Sequence, residues 1–195
     1  MSALADRPLS ELLEEVAAER PAPGGGCSAA WACGLAAGLV EMSAAFTLAQ
    51  PRYGERHARM AEIQTRVRDL RARVVELAEE ELHAYEPVLA ALRLPAEDPD
   101  RAARREAALS AAAGSPFAVA EAAAEVAELA AETARSGNRH LEGDAITGAL
   151  LAEAACRAAA RLVEINLTGH ADDGRRDQVA GLARRAWAAR EEALR

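Results

Sequence analysis

From residue 27 to residue 49 the chain passes through Ala, Gly, Leu, Cys, Trp31, Met42 and Phe46 with a single charged side chain, Glu41. The run follows Pro21-Ala22-Pro23-Gly24-Gly25-Gly26, a stiff approach that ends in three permissive residues. Such a stretch is long enough to cross a membrane. Gly34, Gly38 and the many alanines make it small-faced rather than greasy, and no basic flank anchors it. It reads instead as a central helix covered on all sides by neighbours that its small residues allow to approach closely. Those neighbours must themselves be helices. Alanine supplies 52 residues and leucine 22, whereas valine and isoleucine together reach 13. That mix favours helix over sheet.

The remaining segments support the same reading. The pattern predicts a first helix over 8–19, stopped by Pro21. Residues 55–92 carry Ile63, Val67, Leu70, Val74, Leu77 and Leu82, one buried stripe on a long helix that Pro87 kinks near its end. Leu94-Pro95 and Asp98-Pro99 mark a turn. The next helix runs to about residue 135 with an interruption at Gly114-Ser115-Pro116, and Ser136-Gly137-Asn138 supplies its C-cap and a loop. Two more helices follow, over 143–167 and, beyond Asp172-Asp173-Gly174, to Arg190. No linker and no repeat of fixed period divides the chain. Residues 1–195 therefore read as a single all-α domain, a bundle of six or seven helices around a small-residue-rich central one.

Charge and composition exclude several functions. A formal net charge of -8 disfavours a general nucleic-acid binder. All 23 basic residues are arginine, so Schiff-base chemistry, lysine bases and a P-loop lysine are excluded. Cys27, Cys33 and Cys156 are too widely spaced for a disulfide framework or a zinc ladder, and the N-terminal residues lack an apolar signal core. A reducing cytoplasm is the expected setting, with no membrane partner. His57, His83, His140 and His170 show no compact ligand spacing, so no metal is expected.

Three places carry candidate chemistry. Gly24, Gly25 and Gly26 precede a long helix whose free N–H groups and positive end suit an anion; the alternative is close packing with Ser28 as a cap. Glu79, Glu80, Glu81 and His83 form a polar cluster in which Glu79 and His83, four apart, can face one another. Asn138, His140 and Asp144 lie on a glycine-containing loop and the start of the helix after it, where Asp144 can also serve as a cap. Glu41 must be paired, hydrogen-bonded or protonated if buried.

Pro21-Ala22-Pro23-Gly24-Gly25-Gly26-Cys27-Ser28-Ala29-Ala30 resembles the opening signature of the formiminotransferase-cyclodeaminase C-terminal family, which includes stand-alone methenyltetrahydrofolate cyclohydrolases. The resemblance continues in family order through Gly34, the stretch 42–48, Tyr53, Ala84-Tyr85, Leu94-Pro95, Arg104, Pro116, Gly137-Asn138, Asp144 and Ile165-Asn166-Leu167. It implies an all-helical homodimer acting on a tetrahydrofolate derivative, with no metal. Cyclohydrolases open 5,10-methenyltetrahydrofolate with water to 10-formyltetrahydrofolate; cyclodeaminases close 5-formiminotetrahydrofolate with loss of ammonia. With no transferase domain in these residues, hydrolysis is set ahead of deamination. A folate-binding homologue without catalysis is the third reading, and a helical adaptor with no small ligand the fourth.

By the same resemblance Asp144 is the first catalytic carboxylate. Glu81, where the family usually has aspartate, is the second, and His83 an alternative to it. Gly24, Gly25, Gly26 and Ser28 shape the pocket, Arg52 or Tyr53 meets the acidic tail or the pteridine, and Asn138 and His140 contact the folate. The sequence departs from the family at Gln50 and Arg52, which replace lysines. It departs again at His140 and Gly143, where Asn and Ser are usual, and at Leu162, which replaces asparagine.

Overall fold

A computed structural model describes residues 3–195. Among these the protein is all-helical: α1 (Leu9–Ala17), α2 (Gly25–Leu48), α3 (His57–Ala84), α4 (Glu86–Leu92), α5 (Arg101–Ala112), α6 (Gly114–Ser136), α7 (Glu142–Asn166) and α8 (Arg175–Ala193). Three short 3-10 turns lie at Leu4–Asp6, Pro51–Arg56 and Arg139–Leu141. Six of the eight are major helices, as expected; α1 and α4 are short, and the two expected kinks are full breaks. Pro87 opens α4 from its first turn, where its missing N–H has no helical acceptor to lose. The second break falls between Ala112 and Gly114, ahead of Pro116.

Helices α2, α3, α6 and α7 form the core and alternate in direction. Along α2 the neighbours on α3 run backwards: Cys27 Sγ donates to the Ala78 carbonyl, Gly34 lies beside Val74, and Glu41 meets Arg68. Neighbours on α7 also run backwards, from Leu162 beside Gly25 to Gly148 beside Ala36 and Val40. Helix α6 opposes α3, with Arg66 on Glu125 and Arg59 on Glu132. Helix α8 lies along α6 in the same sense, tied by Arg185 to Glu128 and by Arg135 to Glu192.

Small residues set the spacing. A Cβ on Gly148 would stand 3.2 Å from the Ala36 carbonyl oxygen, so α2 and α7 approach backbone to side chain. Larger residues fill the gap on the α3 side: Met60, Ile63, Val67, Val74 and Leu77 are buried. Each such side chain contributes about 1.5–3 kcal/mol. The stretches Gly25–Leu48 and Arg101–Ser136 are long and apolar enough to cross a membrane by length and composition, but both are built into the bundle.

Helix α2 departs from the expectation in one respect: it is covered on three flanks, not on all sides. Leu35 is 65% exposed and Phe46 52%. Trp31, Leu39 and Met42 fall on the same face at helical spacing and are half-buried. The three neighbours α3, α6 and α7 fill only part of the circumference, and an apolar strip is left open along the length of the helix.

Candidate functional site

Helix α2 begins at Gly25, two residues earlier than its apolar run, and no side chain caps it. The N–H groups of Gly25, Gly26 and Cys27 therefore have no helical acceptor. Ser28 is not the cap; its Oγ donates back to the Gly24 carbonyl at 2.9 Å, one turn inside the helix. Over this opening lies Glu81, in the last turn of α3. A Cβ on Gly26 would fall on the Glu81 carboxylate, so the glycine is what lets Glu81 lie over the helix start. Glu81 Oε2 is buried and has no hydrogen-bond partner. Burial raises the Glu81 carboxyl above the ordinary glutamate range, and a hydrogen bond from Ser115 pulls the other way. The positive end of α2 and the negative end of α3 act on it in opposite senses, which leaves burial to decide.

Leu162, which stands where the family has asparagine, faces this opening: its Cδ1 is 3.9 Å from where a Gly25 Cβ would be. The departure makes the site drier. Cys27 is close by, but burial pushes its thiol up to about 11, and those of Cys33 and Cys156 to about 12. None is a nucleophile at neutral pH.

The polar cluster on α3 is arranged differently from the predicted pairing. His83 is exposed and its Nδ1 lies 2.8 Å from Glu86 Oε1, not against Glu79. Glu79 accepts the Leu4 N–H at 2.8 Å, and Glu80 pairs with Arg73. Glu79, Glu80, Glu81 and His83 spread around the helix, and of them Glu81 turns toward the glycines. Glu41 is ion-paired between α2 and α3: despite burial, hydrogen bonds from Arg68 and Arg71 hold its carboxyl below the ordinary range.

The second group of predicted residues lies at the far end of α2. Thr47, in its last turn, accepts the Asn138 N–H at 2.8 Å. Asn138 is buried, and its Oδ1 accepts from the His140 N–H (3.1 Å) and the Tyr53 hydroxyl (3.4 Å). Tyr53 also accepts the Arg139 N–H at 3.3 Å, while Arg52 covers its ring at 4.9 Å. Gly137 ends α6 in an extended rather than a left-handed conformation; it is glycine because a Cβ would stand 2.5 Å from the Thr133 carbonyl oxygen. His140 is exposed. Asp144 is the third residue of α7, half-buried, with no hydrogen bond or ion pair, so it does not cap the helix. A carboxylate in the first turn is nevertheless favourably placed.

Asn138, Tyr53 and Arg52 lie the length of α2 away, 24 residues or about 36 Å, and Asp144, one turn before Gly148 on α7, lies about 24 Å along the axis. One chain therefore does not bring Asp144, Tyr53, Arg52, Asn138 and His140 to Glu81 and the glycines. Among the described residues no group of three or more His, Cys, Asp or Glu side chains is arranged to hold a metal ion. Sequence reasoning missed Ser115 and the position of Leu162 at the glycine end, and Thr47 at the other.

An up-and-down helical bundle with an uncapped glycine helix start under a buried acid is one kind of small-molecule scaffold, and comparison with known proteins narrows it. The family model described as formiminotransferase-cyclodeaminase matches residues 8–185, and the chain belongs to that family of folate one-carbon enzymes. It is 30% identical to a methenyltetrahydrofolate cyclohydrolase of Methylorubrum extorquens, over 94% of this chain and 92% of that protein. It is 29% identical to the pig formimidoyltransferase-cyclodeaminase over 90% of this chain, but spans 33% of that longer protein. The crystal structure of a formiminotetrahydrofolate cyclodeaminase from Thermotoga maritima superposes with a TM-score of 0.83 at 26% identity, covering 97% of this chain and 92% of the other.

Proposed function

We propose that the protein hydrolyses 5,10-methenyltetrahydrofolate to 10-formyltetrahydrofolate. The observation that carries this reading is Glu81: a buried carboxyl with an unpartnered oxygen, held over the uncapped start of α2. Burial raises its carboxyl above the ordinary glutamate range, which makes it a better proton acceptor than an exposed glutamate. Water adds to the methenyl carbon and gives its proton to Glu81. The tetrahedral carbon then releases N5, which Glu81 protonates, while its hydroxyl loses a proton to solvent and becomes the formyl carbonyl. The N–H groups of Gly25 and Gly26 stabilise the developing oxyanion. The substrate is a cation, and Asp144 supplies the opposing carboxylate. Deamination of 5-formiminotetrahydrofolate is the second reading, favoured by the likeness to the Thermotoga maritima protein. The near end-to-end match to the cyclohydrolase favours hydrolysis.

The site is completed by a second copy of the chain. The open strip of α2, from Trp31 through Leu35 and Met42 to Phe46, joins the two half-sites. A two-fold axis across its middle pairs α2 with an antiparallel α2, and a self-complementary strip is what such symmetry needs. The glycine end of one protomer then faces the Tyr53 and Asp144 end of the other. Arg52 and Tyr53 meet the pteridine, next to Asn138 and His140. The buried free thiols suit a reducing cytoplasm.

The test is the decay of methenyltetrahydrofolate absorbance against an enzyme-free control, with Glu81→Gln and Asp144→Asn. Decay above the spontaneous rate, reduced about 10²–10⁴-fold in either variant, is expected. Decay at the spontaneous rate, with ammonia released from 5-formiminotetrahydrofolate, would replace hydrolysis by deamination.

A further inference from the structure

A cavity of about 710 Å³ lies between α5, the segment after α4 and the end of α7, within the size range of small-ligand sites. It is at the glycine end of the bundle. Leu162 reaches Gly25, and Asn166, one turn or about 6 Å further along α7, lines the cavity. Its floor is apolar, built by Leu92, Leu109 and Ile165.

Two guanidinium groups stand over that floor, Arg101 and Arg105, four apart on one face of α5. Arg101 donates to the Leu92 carbonyl at 3.2 Å and has no carboxylate partner; Arg105 has no hydrogen bond or ion pair at all. Elsewhere in the molecule arginines are mostly committed to glutamates. The two acids that line the cavity are engaged already: Asp98 Oδ1 accepts the Asp100 N–H at 2.8 Å, and Glu106 Oε1 stands 3.7 Å from His170 Nε2. His170 Nδ1 is buried and unpartnered. The negative end of α7 is offset by Arg176, which donates to the Leu167 carbonyl at 3.0 Å.

We infer that this cavity binds a flat aromatic amide carrying carboxylates, the aminobenzoyl-glutamate portion of a folate whose pteridine lies at the glycines. The inference rests on the folate reading above. The ring packs on Leu109 and Ile165, and the glutamate carboxylates take the planar forks of Arg101 and Arg105. This assigns the tail to a place different from Arg52 and leaves that residue for the pteridine.

The experiment is calorimetric titration of p-aminobenzoylglutamate into the wild-type protein and into Arg101→Ala and Arg105→Ala, with p-aminobenzoate, which lacks the glutamate, as the comparison. Arg105 is exposed and makes no hydrogen bond or ion pair, so its replacement leaves the fold intact. Each variant is expected to weaken p-aminobenzoylglutamate about tenfold, or roughly 1.4 kcal/mol, and p-aminobenzoate far less. In the absorbance assay KM should rise much more than kcat falls. A wild-type protein that does not bind p-aminobenzoylglutamate, or variants that bind it equally well, would overturn the inference. Binding lost in the arginine variants of a protein that turns over no folate would support the cavity while removing the reaction.

Discussion

The two ends of α2 solve opposite problems. At its start the helix is left uncapped, and a neighbouring acid is buried with an oxygen that nothing in the chain satisfies. At its finish a chain of polar groups is linked: Thr47 takes the Asn138 N–H, Asn138 takes His140 and Tyr53, and Tyr53 takes Arg139. The exception there is Asp144, free at the edge of that network. An unsatisfied buried carboxyl costs stability at the start of α2, whereas the satisfied network at its finish holds one loop rigid. One end holds a buried acid with an unsatisfied oxygen, and the other is a rigid, largely satisfied polar surface. A single chain cannot join Glu81 to Asp144 across about 24 Å, or to Tyr53 and Asn138 across about 36 Å.

The sharpest way to break this comparison is complementation. Glu81→Gln and Asp144→Asn proteins, each inactive alone, are unfolded together and refolded as a mixture. If each site takes Glu81 from one protomer and Asp144 from its partner, half the dimers are mixed and each mixed dimer contains one intact site. Activity should then return to about a quarter of wild type. Recovery absent from a refolded, dimeric mixture would place both acids in separate roles within one protomer. Leu35→Glu, which puts a charge in the middle of the open strip, should give monomers by sedimentation and abolish turnover in the same preparation.

The helices were legible in the sequence because their signals are local. The α3 stripe at Ile63, Val67, Leu70, Val74 and Leu77 is buried as its spacing requires, Leu82 at its end is only half-buried, and Pro87 opens the next helix. The partition of the site between two ends was not legible. Helical periodicity says which face is buried but not which way a helix points. Direction follows from counting antiparallel turns, and the breaks at Pro87 and Gly114 make that count ambiguous. Among the clustered acids, sequence spacing could not tell Glu81 from Glu80, because the choice depends on Gly26 lying opposite. Arg101 and Arg105 gave no signal either, since a free arginine is recognised only when its possible partners are seen to be taken.

A smaller effect separates two adjacent glycines. Gly25→Ala meets nothing closer than Leu162 at 3.9 Å and should leave stability within about 0.5 kcal/mol, with activity retained. Gly26→Ala puts its methyl on the Glu81 carboxylate and must displace it. Because the side chain can swing away, the fold survives at a cost of about 1–3 kcal/mol. Activity should fall by at least tenfold, since a shift of about 1 Å in a catalytic group has effects of that order or larger. Equal activity in the two variants would remove Glu81 from the reaction.

The smallest expected effect is the pH dependence of stability, and it tests whether the start of α2 is truly dry. Because the folded carboxyl of Glu81 sits above its ordinary value of 4.5, the folded state holds its proton longer than the unfolded chain does. Stability from this group is therefore full below 4.5 and is lost as pH rises toward the folded value. Glu81→Gln keeps the shape and removes the titration. The variant should match wild type in denaturant unfolding at acid pH and exceed it by about 1 kcal/mol at neutral pH, the order of the penalty for a buried unsatisfied group. A difference that does not change with pH would mean that water or a neighbour already satisfies the Glu81 oxygen. The contrast between the two ends of α2 would then rest on Asp144 alone.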